Sequence, residues 1–399
     1  MDKIIPYGRQ SIDEEDIRVV TETLKADFLT QGPRIKELED AFANYVGAEY
    51  AVAVSNGTAA LHLSALSLNL QPGDRVITSP ITFSASANCV RYCGGEVVFC
   101  DIDPETYLID LSKLALMLKE FPKGYFKGII PVDFAGRPVQ MDEVRRLANQ
   151  HDLWILEDSC HAPGGYLTTE DGQQSKCGSG QYADLAIFSF HPVKHIAAGE
   201  GGMITTNQEH LYKKLLDLRT HGITREEARF QNSRELAFGE ETSQVEGWPG
   251  WYMEMQELGF NYRLTDIQAA LASSQLKKAD KGIARRRAIA ARYAQALHGE
   301  SFLLGHSGVV DGHAYHLYVV EVQDRAGLYD HLRKHKVFAQ VHYIPVHLMP
   351  YYQKQGHQHG NFPYAEQYYS RCLSLPMYPT LTDEEQDYVI DLIKSYYHG

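Results

Sequence analysis

Lys194 is the residue whose surroundings in the sequence most favour covalent chemistry. It lies in the run FSFHPVKHIAAGEGG (188–202), where an aromatic strand end leads to a lysine between two histidines and then to a glycine-rich turn. A lysine in a largely apolar pocket near other cations has a lowered pKa and can act as an amine nucleophile. His191 and His195 also permit a metal-site interpretation. Since no third His or Cys follows at ligand spacing nearby, we expect no metal here.

A second segment, SNGTAAL (55–61), could bind an anion. A strand ends there, a turn of small residues follows, and a helix begins. The backbone amides of Gly57, Thr58 and Ala59 would then point at the anion, and the helix dipole would favour negative charge. An ordinary turn between strand and helix, with an Asn-Gly bend, explains the same residues. Alone, this segment does not establish a function.

Two acidic residues end a buried strand in LEDSCHAPG (156–164). Ligands of open α/β sheets bind at the carboxyl ends of strands, so Glu157 or Asp158 could pair with a protonated ring nitrogen. Either residue could instead cap a helix. A fourth segment, LGFNYRLTDIQAAL (258–271), places Asn261 and Arg263 before a helix with Asp266 near its start, which by itself indicates only a polar loop.

Taken together, these segments contain the parts that a pyridoxal 5′-phosphate (PLP) site requires. These parts are a phosphate cradle, a carboxylate for the ring nitrogen and a nucleophilic lysine. Their order along the chain allows one edge of one sheet to present all three.

The elements that would position these residues alternate between strands and helices. The strands are nearly continuous apolar runs, which is typical of a mostly parallel sheet covered by helices on both faces. The sequence predicts strands at 51–55, 75–79, 96–102, 128–134, 152–158, 185–190 and 202–207, and helices at 58–66, 83–93, 111–120 and 141–150. The last two strands have no helix-length segment between them.

The flanking regions complete the α/β interpretation. Ser11 and Glu14 have the spacing of a capping box before a helix, and a second helix at 35–46 ends at Gly47. Residues 225–256 have the composition of a loop, and one long helix is predicted from Thr265 through 285–287. We expect a large α/β domain at 1–262, with an N-terminal arm, and a smaller C-terminal α+β domain at 263–399.

Composition excludes several classes of protein. The formal net charge of −13 argues against a general nucleic-acid binder, which needs a basic face. No stretch approaches the roughly 20 apolar residues of a membrane span. The sequence opens without the apolar core of a signal peptide, and its six cysteines form no disulfide framework. We therefore expect a cytoplasmic protein that binds neither nucleic acid nor membrane.

The chain resembles the DegT-type nucleotide-sugar aminotransferases, which are fold type I PLP enzymes. The resemblance runs from PYGRQSID to LPMYPTLTDEEQDYV and includes all four segments in order. Within the family, SFHPVKH with GEGGM, MQELGFNYRLTDIQAAL and QVHYIPVH are most similar to the transaminases of pseudaminic acid biosynthesis, which make UDP-4-amino-4,6-dideoxy-N-acetyl-β-L-altrosamine.

The resemblance implies a role for individual residues. Lys194 matches the Schiff-base lysine and Asp158 the carboxylate under the pyridine nitrogen. The other positions that match cofactor-binding residues are Gly57, Thr58 and Ser189 at the phosphate, Phe83 on the ring, His161 near the cofactor oxygen, and Asn261, which family members contribute from the other subunit of a homodimer. The positions that match the sugar-nucleotide site are Tyr7, Asp27, Phe28, Leu29, Thr30, Gln340, Val341, His342 and Tyr343.

The resemblance also implies the reaction. The expected substrate is a UDP-4-keto-6-deoxy-N-acetylhexosamine aminated at C4, and the expected donor is L-glutamate. Three alternatives remain. They are an aminotransferase for another nucleotide keto-sugar, such as one of the bacillosamine type, a PLP sugar dehydratase, and a non-enzymatic PLP-fold regulator. Relatives of the dehydratase kind carry His where this chain has Lys194, which argues against that reading.

Overall fold

The structure is a computed structural model that describes residues 4–169, 172–238 and 247–399. Its strands are β1 (Ile5–Pro6), β2 (Tyr50–Val54), β3 (Arg75–Thr78), β4 (Glu96–Phe99), β5 (Gly128–Ile130), β6 (Trp154–Asp158), β7 (Tyr166–Thr168), β8 (Gln174–Lys176), β9 (Leu185–Ser189), β10 (Gly202–Thr206), β11 (Ile223–Thr224), β12 (Glu254–Met255), β13 (Leu303–His306), β14 (Tyr318–Val322), β15 (Val337–Phe338) and β16 (Cys372–Leu375).

The helices surround these strands and complete the alternating pattern. They are α1 (Glu14–Leu24), α2 (Pro33–Val46), α3 (Gly57–Ser67), α4 (Ala85–Tyr92), α5 (Leu111–Glu120), α6 (Met141–His151), α7 (Glu209–Arg219), α8 (Arg234–Phe238), α9 (Asp266–Leu276), α10 (Ala279–Ala296), α11 (Arg325–Lys334), α12 (Pro350–Gln353), α13 (Pro363–Arg371) and α14 (Asp383–His398).

The central sheet has seven strands in the order β2-β10-β9-β6-β5-β3-β4. Strand β10 is antiparallel to both of its neighbours, and the other pairs are parallel. The expected α/β class with a mostly parallel sheet is therefore confirmed. Because no helix separates β9 from β10, the chain reverses directly between them, and Lys194 lies in this connection. Two backbone hydrogen bonds close this connection, from Phe190 N to Gly201 O (2.8 Å) and from Ala198 N to Phe190 O (2.8 Å).

Both faces of the central sheet are buried, which explains why its strands are apolar without alternation. One face packs on a cluster that includes Leu63, Val90 and Leu215, and Ile77, Leu114 and Val144 belong to a second cluster. Packing on both faces fixes the positions of the carboxyl ends of the strands. The candidate site lies at these strand ends.

A second unit is built around the antiparallel sheet β13-β14-β16. Its core contains side chains of α10, α11 and α14, and also Ile5, because β1 pairs in parallel with β15. The N-terminal arm therefore packs on the C-terminal unit. The division at residue 262 stays a prediction.

Two local predictions are wrong. The capping box of α1 is formed by Asp13 and Asp16, not by Ser11 and Glu14, since the helix begins at Glu14. The predicted long helix is two helices, α9 and α10, which a turn at Lys277 and Lys278 separates. The Lys278 ammonium pairs there with Asp13 at 2.7 Å and Asp16 at 2.6 Å.

The segment 225–256 contains short elements between its loops, and residues 239–246 lie outside the described part. Within the described ranges, no helix combines the length and apolar character needed to cross a lipid bilayer.

Candidate active site

A cavity of about 820 Å³ lies at the carboxyl ends of the central strands. Residues that follow β2, β3, β6 and β9 line it, together with residues from the N-terminal arm and from the C-terminal unit. Cavities of this size hold small-molecule ligands, and the position is the one at which open α/β sheets bind them.

Lys194 lines this cavity and is partly buried. Its Nζ lies 3.4 Å from His316 Nε2. Burial lowers the pKa of Lys194 to about 8, an effect that Cys160 and Asp158 oppose and the charge of Arg286 reinforces. Near pH 8 about half of the amine is therefore unprotonated and able to act as a nucleophile or to accept a proton.

Asp158 is the acid of the pair 157–158 that faces the cavity. It is buried, and its Oδ2 accepts a hydrogen bond from Ser86 Oγ at 2.6 Å, while Oδ1 accepts one from Cys160 N at 3.2 Å. The hydroxyls of Ser86 and Thr82 lie 2.8 Å apart. These bonds fix the carboxylate in one orientation on the floor of the cavity.

Glu157 points to the opposite side of β6, because successive side chains of a strand alternate. Its carboxyl accepts from Gly178 N at 3.2 Å, and it lies near Asp133 and Cys177, with the ligand atoms of the three within 4.8 Å of one another. Burial, and then the charge of Asp133, raise the pKa of Glu157. Val139 N and Ser159 Oγ donate to Asp133, at 2.9 Å and 2.8 Å. This buried pair ties together the loops beneath the cavity.

The start of α3 forms a cradle of the kind that binds a phosphate. Gly57, Thr58 and Ser189 all line the cavity. A Cβ at Gly57 would lie 3.1 Å from Ser189 Cβ, so a glycine leaves this space open. The prediction for Ala59 is wrong, because its amide donates to the Asn56 side chain at 2.8 Å, as an N-cap requires.

Aromatic and imidazole rings close the cavity above its floor. Phe83 is 59% exposed and lies 6.2 Å from the ring of Tyr343, so its face is available to a flat ligand. His161 is buried, accepts from Ala135 N at 3.2 Å through Nδ1, and has its Nε2 3.3 Å from the Tyr343 hydroxyl. Burial lowers the pKa of His161 well below its usual value, so the ring is neutral.

The residues expected at the sugar nucleotide divide into two groups. Tyr7, His342 and Tyr343 line the cavity, and the rings of Tyr7 and His342 are 5.0 Å apart. Gln340 and Val341 lie away from it. Gln340 is exposed and pairs through its backbone with Ser374, and Val341 packs on the apolar clusters.

The segment 27–30 is exposed and lies outside the cavity of its own chain. It is held in place by the start of α9. Thr30 bridges to Thr265, and Asp266 accepts from Gly32 N at 2.8 Å and from Arg34 N at 3.0 Å. Asp266 is therefore a buried anchor for this segment and not a cavity residue.

Asn261 is also exposed, and its backbone bridges to Thr220. It lies outside the cavity, whereas the next residue, Tyr262, lines it. His191 lines the cavity at its exposed side, and His195 Nε2 lies 2.8 Å from Ala314 O. Of the two histidines that flank Lys194, His191 therefore faces the cavity, and His195 contacts the backbone of the C-terminal unit.

Sequence reasoning missed several cavity residues, chief among them Ser86, His62, Glu200 and His316. Ser86 lies in PITFSASAN, the segment that supplied Phe83, and its place one helical turn after Thr82 is a signal that could have been used. His316 is separated from Lys194 by 122 residues, and no local pattern links the two.

The arrangement fits PLP. The cradle at Gly57, Thr58 and Ser189 suits the phosphate, Phe83 presents an open aromatic face to the ring, and Asp158 is a fixed carboxylate for the pyridine nitrogen. Lys194 provides the amine.

Comparison with known proteins agrees with this geometry. The DegT/DnrJ/EryC1/StrS aminotransferase family model matches residues 10–394. Spore coat polysaccharide biosynthesis protein SpsC of Bacillus subtilis is 38% identical over 404 residues, which cover 99% of this chain and 97% of that protein. Uncharacterized protein MJ1066 of Methanocaldococcus jannaschii is 37% identical over 401 residues, which cover 98% and 97%.

Solved structures are similar over the whole chain. Helicobacter pylori PseC, an aminotransferase of pseudaminic acid biosynthesis, has a TM-score of 0.85 at 28% identity, covering 99% of this chain and 100% of that one. The PLP form of the putative sugar aminotransferase Spr1654 from Streptococcus pneumoniae has a TM-score of 0.86 at 28% identity, covering 99% of each chain.

Proposed function

The chain belongs to the DegT/DnrJ/EryC1/StrS aminotransferase family and is a PLP-dependent aminotransferase of fold type I, and from this premise we propose that it aminates C4 of a UDP-linked 4-keto-6-deoxy-N-acetylhexosamine. The amino donor is L-glutamate. The observation that carries the proposal is the meeting of Lys194, Asp158 and the anion cradle in one cavity that extends to Tyr7 and His342.

When bound, PLP supplies an aldehyde that exchanges amino groups and a ring that draws off negative charge. Lys194 holds the cofactor, and its freed amine takes a proton from one carbon and delivers it to another, for which a pKa of about 8 is suitable. Asp158, oriented by Ser86, keeps the ring nitrogen protonated. Gly57, Thr58 and Ser189 would hold the phosphate, and Phe83 would offer an aromatic face to the ring.

The remaining cavity wall suits a sugar nucleotide. Tyr7, His342 and Tyr343 present aromatic surface and polar atoms beyond the lysine, where they can orient the keto carbon. The PseC structure supports a product used for pseudaminic acid, since its name assigns that role to a protein with a similar fold over the full chain.

A second candidate substrate is a different nucleotide keto-sugar. SpsC, at 38% identity, carries a spore-coat polysaccharide name, and its identity to this chain exceeds that of PseC. An aminotransferase of the bacillosamine type, or one that makes a coat sugar, would use the same floor of the cavity and differ in the wall.

The enzyme works as a homodimer with shared active sites. Asn261 and the segment 27–30 are exposed and lie outside the cavity of their own chain. Phe28 is 55% exposed and Leu29 is 46% exposed. In a dimer these groups reach the cavity of the partner, Asn261 at the cofactor and the segment 27–30 at the sugar nucleotide.

The deciding experiment offers L-glutamate with the L-arabino and D-xylo epimers of the UDP-4-keto-6-deoxy-N-acetylhexosamine. The products are identified by mass spectrometry and NMR. We expect a higher kcat/KM for the L-arabino epimer. A preference for the D-xylo epimer would move the enzyme to the bacillosamine type, and amination of neither sugar would contradict the proposed substrate class. A change of cofactor absorbance on addition of glutamate alone separates an enzyme from a regulator.

A further inference from the structure

A histidine from the C-terminal unit reaches the floor of the cavity beside Lys194. His316 lies just before β14 and is buried, and its Nε2 is 3.4 Å from Lys194 Nζ. Binding of the cofactor's phosphate, ring and ring nitrogen does not require this contact.

The rings around His316 are neutral. His161 and His195 lie on either side, with ring centroids 4.3 Å and 5.9 Å from that of His316. His195 donates through Nε2 to Ala314 O, and His161 accepts through Nδ1 from Ala135 N. Burial lowers the pKa of all three imidazoles well below the usual value. His316 therefore faces Lys194 as a neutral ring.

A buried arginine fixes the backbone that carries His316. Nη1 of Arg286 donates to the carbonyls of Tyr315, His316 and Met377, at 3.1, 3.3 and 2.9 Å. The positive charge of Arg286 also disfavours protonation of His316. The ring is thus held in position and kept able to accept.

The second nitrogen of His316 has no compensating contact. Its Nδ1 is buried and has no hydrogen-bond partner within the described ranges. Buried polar atoms without partners are uncommon, and a native one calls for an explanation. The contact with Lys194 is therefore the one polar contact that the described residues give this ring.

We propose that His316 is a positioning residue for Lys194: its Nε2 accepts a hydrogen bond from Nζ and so directs the lone pair of the free amine at the proton on the reacting carbon. The inference rests on the proposed role of Lys194 as the lysine that moves the proton. The free amine donates one N–H to His316, takes a proton from the substrate carbon to become an ammonium, and releases that proton to the carbon on the other side of the exchanging nitrogen. His316 remains neutral throughout.

The test compares His316→Phe, which keeps a flat ring without an acceptor, with His316→Gln, whose amide oxygen can accept. In the holoenzyme, the single-turnover rate with glutamate should fall about tenfold in His316→Phe, the effect of one lost hydrogen bond, and largely recover in His316→Gln. The KM for the keto-sugar should not change. His306→Phe in β13, outside the cavity, is the matched control and should leave the rate unchanged.

A second readout does not depend on turnover. In the cofactor-free full chain, the pH dependence of reductive methylation at Lys194 is followed by peptide mass spectrometry. Loss of the acceptor destabilises the ammonium, so the pKa of Lys194 should fall in His316→Phe and return in His316→Gln. Asp158, Cys160 and Arg286 also act on this amine, and all remain in every variant.

An unchanged pKa and an unchanged rate in His316→Phe would overturn the inference. If that variant does not fold, His316→Asn replaces it, because its shorter amide cannot span the contact, and equal behaviour of the Asn and Gln variants would overturn the inference as well. A borohydride label on a lysine other than Lys194 would instead contradict the proposed function and leave the methylation result intact.

Discussion

Replacing Glu157 by glutamine should stabilise the protein at alkaline pH while leaving aminotransferase activity in place. The wild-type carboxyl lies beside Asp133 in a buried site on the side of β6 away from the cavity. A glutamine keeps the shape and an oxygen for the Gly178 amide. Its NH₂ can donate to Asp133, so the repulsion between two buried carboxylates is removed.

The direction of the effect follows from the pKa of Glu157. Burial, and then the charge of Asp133, raise this pKa well above its ordinary value of 4.5. A carboxyl with a higher pKa in the folded state holds its proton more tightly there. Its contribution to stability is fully present below its ordinary pKa and is lost as the pH rises through the folded-state pKa. Each pH unit between these two pKa values costs the wild type about 1.4 kcal/mol, a loss that the glutamine does not suffer.

The assay is the denaturant midpoint of cofactor-loaded wild type and Glu157→Gln at pH 4, 6 and 8. The difference between the two proteins should be small at pH 4 and should increasingly favour the variant at pH 6 and pH 8. The matched variant is Asp158→Asn, one residue further along the strand, which should keep much of the cofactor and lose most transamination. A Glu157→Gln enzyme that lost activity as Asp158→Asn does, or a stability difference independent of pH, would refute this assignment of the two acids.

Three further results are expected from the cavity. Lys194→Ala should lower turnover by at least about 10²–10⁴-fold, the usual contribution of a positioned acid–base group, and borohydride should fix the cofactor on the Lys194 peptide of the wild type alone. Ser86→Ala removes the 2.6 Å bond to Asp158 and should slow turnover about tenfold, measured as kcat with glutamate saturating. Mixing inactive Lys194→Ala subunits with inactive Asn261→Ala subunits should restore activity in the hybrid dimer, and no rescue after verified subunit exchange would count against shared sites.

Most strands could be predicted from local patterns, because parallel strands that are buried on both faces appear in the sequence as short, nearly continuous apolar runs. Strands at 75–78, 96–99 and 185–189 fall inside the predicted runs, and Gly47 ends α2 at φ 84° as a left-handed C-cap. The errors occur where a distant contact decides the outcome. The break between α9 and α10 coincides with the pairing of Lys278 with Asp13 and Asp16 of another helix, which no helical periodicity can reveal.

The residues of the candidate site also fall into two groups, those that local pattern predicted and those that only distant contacts bring in. Lys194, Asp158 and Gly57 stand at strand ends, where the topology of an α/β sheet directs ligand chemistry, so their types and order sufficed to predict a common edge. The partners that tune them come from elsewhere, since Ser86 is 72 residues from Asp158 and His316 is 122 residues from Lys194. Side chains that adjust a pKa or an orientation need only be close in space, and the sheet edge admits them from any loop. Substitution of such partners can change the pKa or the orientation of Lys194 without altering any of the four segments from which the PLP site was predicted.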